Sequence, residues 1–364
     1  MKFSIKIPKT FDWLLYIIPL LLSATGIAVI YSITYYNDKI SLFHGQMTYL
    51  IIGTLVMIIL TFFDYRHLKG ISPLLYIIGI GLLFLVLEIG KSTFGATRWI
   101  DLGFFNFQPS EFFKLFTILI LARFLGDKIG KINYKQIIFA LLIGIIPALL
   151  ILKQPDLGSF SVVVVITIGM IFFAKLNSKQ LTIMIIAGLL VTPLIWTNLK
   201  PYQKERIHTF INPTSDQFGS GYNVLQSTIA VGNGGIMGKG LGHGAQSQLN
   251  FLPVAHTDFI FAGLAEASGF VGSVFVVILF LVLILRIAET GHISKDNFGM
   301  FFAYGVAIMM LFQVFVNIGM NIGIVPITGI PLPFLSHGGS SMMLNMICIG
   351  ILQSIYLRHK KITF

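Results

Sequence analysis

Long apolar runs recur from one end of the chain to the other, separated mostly by short polar stretches. They cover Phe11 to Tyr35, Met47 to Phe63, Pro73 to Ile89, Phe112 to Leu125, Ile137 to Leu152, Phe160 to Ala174, Leu181 to Thr197, Phe259 to Leu285, Gly299 to Ile318 and Ser341 to Leu357. About 20 apolar residues of helix cross the ~30 Å hydrocarbon core of a bilayer, so the pattern predicts about ten transmembrane helices. The fold class expected is an all-α polytopic membrane protein, with residues 1–364 forming one integral domain. Composition agrees: 55% of the 364 residues are hydrophobic and 11% charged, with a mean hydropathy of +0.87. The first run exceeds a signal-peptide core and lacks a small-x-small cleavage site, so it is expected to remain as an anchor. Cys348 is the single cysteine, which excludes an intramolecular disulfide.

Charge sets the expected orientation. With a cytoplasmic N-terminus, the inner segments collect Lys2, Lys6, Lys9, Arg66, Lys69, Arg123, Lys128, Lys131, Lys135, Lys175, Lys179, Arg286, Lys295, Arg358, Lys360 and Lys361. The short outer segments hold only Lys39, Lys91, Arg98, Lys114 and Lys153. This is the positive-inside asymmetry, and it puts both termini in the cytoplasm. The net charge of +11 then reflects topology and anionic lipid, with no call for nucleic acid.

One connection breaks the rhythm. The extracytoplasmic segment of about 198–256, between helices 7 and 8, is far longer than an ordinary helix-to-helix loop, and such loops are usually functional. Its apolar residues argue against pure disorder, and Val224 to Val231 is expected to form a short surface helix. The glycines from Gly232 to Gly244 lack the strand and helix of a dinucleotide fingerprint, and Gly240 follows Lys239 where a Walker loop needs Ser or Thr. A flexible hairpin and a backbone anion cradle remain as alternatives.

Chemistry concentrates in polar residues at the outer boundary. Asp258 stands at the mouth of the eighth apolar run, and an acid there is costly enough to imply a role, as a general base or a divalent-metal ligand. Glu266, eight residues on, is expected on the same helical face and about 12 Å deeper, in a structural role. Arg98, Lys114, Lys153 and Lys239 lie outside, where topology does not require cations; together they fit a phosphate or pyrophosphate group. Taken singly, Glu111 and Lys114 read as an i,i+3 pair, and Arg98 as a snorkelling residue or a partner of Asp101. In the last outer segment Pro326, Pro331 and Pro333 forbid a continuous helix, so this backbone must line protein or water. Ser336, Gly338, Gly339 and Ser340 are expected to cap the final helix.

Four segments carry a resemblance: Gly95-Ala-Thr-Arg-Trp-Ile-Asp-Leu-Gly103 with Gln108-Pro-Ser-Glu-Phe-Phe-Lys-Leu115; Lys153-Gln-Pro-Asp-Leu-Gly158; Gln246 to Phe261 with its His256-Thr-Asp-Phe-Ile-Phe261 core; and Pro326-Ile-Thr-Gly-Ile-Pro-Leu-Pro-Phe-Leu-Ser-His-Gly-Gly-Ser-Ser341. In order and along almost the whole chain, they resemble the SEDS family (shape, elongation, division and sporulation), and its RodA branch more than its FtsW branch. The sequence departs from the family pattern at His337, where Tyr is usual, at Val254-Ala255, which replaces a Glu-containing dipeptide, and at Ala267, the second place of a usual Glu-Glu pair.

The resemblance implies a peptidoglycan glycosyltransferase that polymerises lipid II at the outer face of the bacterial cytoplasmic membrane, releases undecaprenyl pyrophosphate and works with a class B penicillin-binding protein. Asp258 matches the family's essential aspartate, as base for the acceptor hydroxyl or as ligand of a Mg2+ or Mn2+ ion. Arg98, Lys114 and Lys153 are then expected at the pyrophosphate, Glu111 as the residue that positions Lys114, and Gln108 and Ser110 at sugar or loop contacts. A lipid flippase and a non-catalytic scaffold for penicillin-binding proteins are the alternatives. The topology is checked by reporter fusions: one after Phe364 should be cytoplasmic and one near Asp216 external, and finding both on one side overturns the helix count.

Overall fold

The computed structural model describes residues 11–359 apart from 36–39, 94–95, 102, 104–105, 131, 199–200, 213–218, 250 and 253. Lys39, Gly95, Lys131, Asp216 and the terminal lysines named above therefore lie outside the described residues. All ten predicted positions are helical: α1 (Trp13–Thr34), α2 (Ile40–Phe62), α3 (Arg66–Ile89), α4 (Pro109–Gly126), α5 (Tyr134–Lys153), α6 (Leu157–Phe172), α7 (Ser178–Asn198), α11 (Ile260–Ile293), α12 (Asn297–Asn321) and α13 (Gly339–Leu357). Among the described residues seven of these are individually long and apolar enough to cross a membrane. Of the others, α4 carries Glu111, Lys114 and Arg123, and α6 has only 16 residues.

Capping chemistry fixes several starts. Asp12 accepts from Leu14 N and Leu15 N, Asn133 and Gln136 form a reciprocal box, and Asp156 and Asp296 cap α6 and α12. The second and third helices begin seven residues before the predicted Met47 and Pro73, because a search for apolar runs leaves out polar residues that are still helical. Gln46, for example, donates to Ser336 O at 3.1 Å and accepts from Gly338 N at 3.1 Å.

The long loop is not one helix but three: α8 (Pro201–Ile211), α9 (Ser220–Asn233) and α10 (Ala245–Gln248). The α9 helix contains the predicted Val224 to Val231. A small antiparallel sheet, β1 (Lys91–Thr93), β2 (Ala96–Asp101) and β3 (Asn106–Phe107), links α3 to α4, with Ile100 opposite Phe107 and Asp101 opposite Asn106. A search for apolar helical runs cannot register strands this short.

Two polar faces close the bundle. On one, Asp12 binds Arg286 at 2.7 Å, the Tyr16 hydroxyl meets Thr61 Oγ1 at 3.5 Å, and Arg358 donates to Phe62 O at 2.8 Å. The start of α1 and the end of α13 therefore share a face, as an even helix count demands. The opposite face carries the sheet, the long connection and the segment of residues 322–338. Between the faces α12 packs against α4, α6, α9, α11 and α13, and Phe301, Phe302, Met309 and Met310 on it are fully buried.

α11 is broken. Gly269 adopts φ +67° and ψ −164°, a conformation open to glycine and strained for any other residue.

Candidate functional site

The site is built around a turn. Residues 254–259 precede α11, so Asp258 lies outside the helix, one position before its N-cap Phe259. This corrects the expectation of a shared helical face with Glu266. The turn hangs on α12: Asn317 Nδ2 donates to Asp258 O at 3.0 Å and to Ile330 O at 2.8 Å, and Asn321 Nδ2 donates to Asp258 O at 3.1 Å. Asn321 Oδ1 accepts from Ala262 N at 3.0 Å, a first-turn donor of α11 that it shares with Phe259 O at 3.1 Å. From the other side Ser336 Oγ donates to Thr257 O at 2.7 Å and accepts from Leu332 N, and His337 N donates to His256 O. Ser336 thus pins the catalytic-candidate turn; it does not cap α13, whose N-cap is Gly338 without a side-chain bond.

The Asp258 carboxylate is partly open to solvent but packed round by protein. Burial pushes its pKa above the ordinary carboxylate range; Arg98 and Arg206 pull it down and Asp156 pushes it further up. Gly329 faces the carboxylate, and a Cβ there would stand 3.5 Å from Oδ2. His337, where the resembling family has Tyr, lies between Tyr49 and His256, with ring centroids 6.2 and 5.8 Å away. Burial and then His256 lower its pKa to about 4, so it is neutral near pH 7.

Asp156 joins the predicted residues. One of its oxygens caps Ser159 N at 3.0 Å and faces Arg98 Nη1 at 3.7 Å; the other takes Gln108 Nε2 and Ser110 Oγ, each at 3.3 Å. Gln108 N in turn donates to Ser340 Oγ at 3.0 Å, in the first turn of α13. The N-terminal ends of α4, α6 and α13, each the positive end of a helix dipole, are therefore tied together beside Asp258. Arg98 donates to Pro155 O and pairs with Asp156, not with Asp101, and its buried Nε has no partner.

The remaining predicted residues separate. Glu111 and Lys114 form a 2.5 Å i,i+3 pair with side chains 3% and 1% exposed, and Glu111 Oε2 is left without a partner. Lys153 is exposed at the end of α5. Glu266 is structural, as expected: its carboxylate accepts from Gln246 N, Ser247 N and Ser247 Oγ at 2.6–3.0 Å and so caps α10. Lys239 and Gly240 spend their backbone N–H groups on Glu266 O and Ala267 O, and Gly242 N on Ser32 Oγ, so these donors do not form an anion cradle.

Sequence reading missed Asp156, Arg206, Asn317 and Asn321 as site residues. Asp before a helix start, and two Asn at i,i+4 in an apolar helix, were available signals. Arg206 had none, because only the folding of the long connection brings α8 to Ile327 O at 3.2 Å.

The chain is similar to known proteins along nearly its whole length. A family model described as "Cell cycle protein", covering FtsW, RodA and SpoVE, matches residues 9–361. Peptidoglycan glycosyltransferase MrdB of Escherichia coli (strain K12) is 37% identical over 328 residues, 90% of this chain and 89% of that protein. Stage V sporulation protein E of Bacillus subtilis (strain 168) is 38% identical over 355 residues, 94% and 96% of the two. Among solved structures, a chain of a peptidoglycan synthase complex, described for its coordination of polymerization and crosslinking, superposes with a TM-score of 0.82 at 30% identity, covering 96% of this chain and 98% of that one. The rod shape determining protein RodA of Thermus thermophilus gives a TM-score of 0.70 at 28% identity, covering 95% and 96%. With the match running through the α4, α6, α11 and α13 starts that build the site, this chain belongs to the FtsW/RodA/SpoVE family.

Proposed function

We propose that this chain is a peptidoglycan glycosyltransferase that polymerises lipid II at the outer face of a bacterial cytoplasmic membrane. The carrying observation is the Asp258 carboxylate, held by its backbone beside Arg98, Arg206 and three linked helix starts. An acceptor sugar hydroxyl attacks the anomeric carbon of the donor; the new C–O bond forms as the bond to pyrophosphate breaks, the hydroxyl proton passes to Asp258, and undecaprenyl pyrophosphate leaves. Arg98, with an unused buried Nε, and the positive helix ends suit the leaving group, and exposed Lys153 offers a further cation. Gln108 and Ser110 hold Asp156, which keeps Arg98 in place. Glu111 and Lys114 support α4 from within, and their engagement with phosphate requires the pair to open.

A divalent cation, Mg2+ or Mn2+, belongs to the proposal. Among the described residues no three His, Cys, Asp or Glu side chains form a metal-binding group. The ion would be held by one carboxylate, Asp258, in the alternative role of metal ligand, with substrate phosphates as further donors. Such an ion supplies charge neutralisation at the pyrophosphate.

Asp258→Asn tests the role. Given lipid II and a divalent cation, the purified variant should lose about 10²- to 10⁴-fold in polymerisation. Activity near wild type removes Asp258 from the chemistry, and wild-type protein that moves lipid II between leaflets without polymerising it replaces the enzyme reading with transport.

The raised pKa makes a second prediction. A folded-state pKa above the unfolded value means that Asp258 subtracts from stability as pH rises through that interval and stays costly above it. Asp258→Asn should therefore melt at a higher temperature than wild type in detergent near pH 7, with the difference vanishing below about pH 4. Equal melting temperatures at neutral pH contradict the buried-charge account.

The partner proposed is a class B penicillin-binding protein. Co-expressed, the two should purify together and polymerise faster than this chain alone; equal rates count against the partnership.

A further inference from the structure

The glycine-rich segment after α9 is bonded into the break of α11. Lys239 N and Gly240 N donate to Glu266 O and Ala267 O at 3.0 and 2.9 Å, while Phe270 N and Val271 N donate to Gly235 O and Ile236 O at 2.8 and 3.2 Å. The loop thus replaces helix partners lost at Gly269. The fit is close: a Cβ on Gly238 would lie 2.2 Å from Ala267 O.

Its depth follows by counting along α11. Arg286, paired with Asp12 on the face that carries the start of α1, marks one membrane boundary. Phe270 is sixteen residues above it, a rise of about 24 Å, which is less than the ~30 Å hydrocarbon thickness. The α11 residues at the break face outward, with Phe270 66% and Val271 53% exposed. The loop beside them turns Ile236 and Met237 outward too, 69% and 80% exposed. Non-helical backbone at that depth is tolerated only where protein satisfies its polar groups; here α11 meets Gly235 O, Ile236 O, Lys239 N and Gly240 N, α9 and the segment itself meet Gly234 N, Gly235 N and Gly238 N, and Ser32 meets Gly242 N. Lys239 is exposed at the edge of the loop, with a stem long enough to reach lipid headgroups.

We infer that residues 234–242 form an interfacial re-entrant loop seated in the leaflet on the Asp258 side, with Ile236 and Met237 among the lipid acyl chains. The occupant of this apolar surface is the bilayer itself. Through Glu266, which caps α10, and through the upper segment of α11, the loop ties the height of the Asp258 turn to the membrane surface. The inference holds whatever reaction the site performs.

The test uses Met237→Cys and Ile236→Cys, each labelled with a small environment-sensitive fluorophore in the full chain. The chain is reconstituted in phosphatidylcholine/phosphatidylglycerol vesicles with or without phosphatidylcholine brominated on its acyl chains. Native Cys348 is fully buried, and unlabelled wild type serves as the labelling control. Glu205→Cys, at an exposed position of α8, is the reference site. Both loop positions should lose most of their fluorescence to the brominated lipid and be shielded from aqueous iodide relative to the reference. Iodide quenching equal to that at position 205, or insensitivity to both quenchers as expected beneath a protein partner, overturns the inference.

Discussion

The site depends on two buried side-chain amides that hold the backbone of one turn. Asn317 and Asn321, both fully buried on α12, place the carbonyl of Asp258 and the first turn of α11 against a helix packed on α4, α6, α9, α11 and α13. A side-chain amide donates and accepts at once, so one residue satisfies groups on neighbouring segments that would each cost about 1–3 kcal/mol if buried alone. An apolar residue at position 317 would remove the Asn317 bonds to Asp258 O and Ile330 O, and one at position 321 the bonds to Asp258 O and Ala262 N, loosening the turn's attachment to α12. The carboxylate is thereby fixed through its backbone, and its side chain remains available.

Charge around that turn is arranged rather than merely abundant. Asp156 gathers Arg98, Gln108, Ser110 and Ser159, and through Gln108 it couples the starts of α4, α6 and α13. The result is positive helix ends and a guanidinium beside a carboxylate whose charge is disfavoured by burial, which suits both a phosphate-bearing ligand and proton uptake. Glu111 and Lys114 sit a turn deeper, where low exposure makes each the other's necessary partner.

The membrane shapes the rest. A helix broken at Gly269 would expose backbone groups to lipid unless another segment met them, and the glycine-rich loop does so because only glycine admits such close approach. The α11 break, the loop and the Glu266 cap on α10 form one connected device under the Asp258 turn.

The sequence by itself determined the ten helices, because a run of apolar residues long enough to span hydrocarbon has few other solutions. It also marked Asp258, because an acid at the membrane boundary is costly, and the departures from helix at Pro326, Pro331 and Pro333. What it left open was settled by contacts between distant segments. Ser336 reads locally as a helix cap, but the turn at Thr257 competes for its hydroxyl and wins. Arg98 has Asp101 as its neighbour in sequence, yet the hairpin carries it to Asp156. The glycines read as a loose loop or an anion cradle until the break in α11 takes up their donors. Period and composition report local preference, whereas the choice of hydrogen-bond partner depends on which backbone groups the bundle leaves unpaired, and that is decided only when the helices pack.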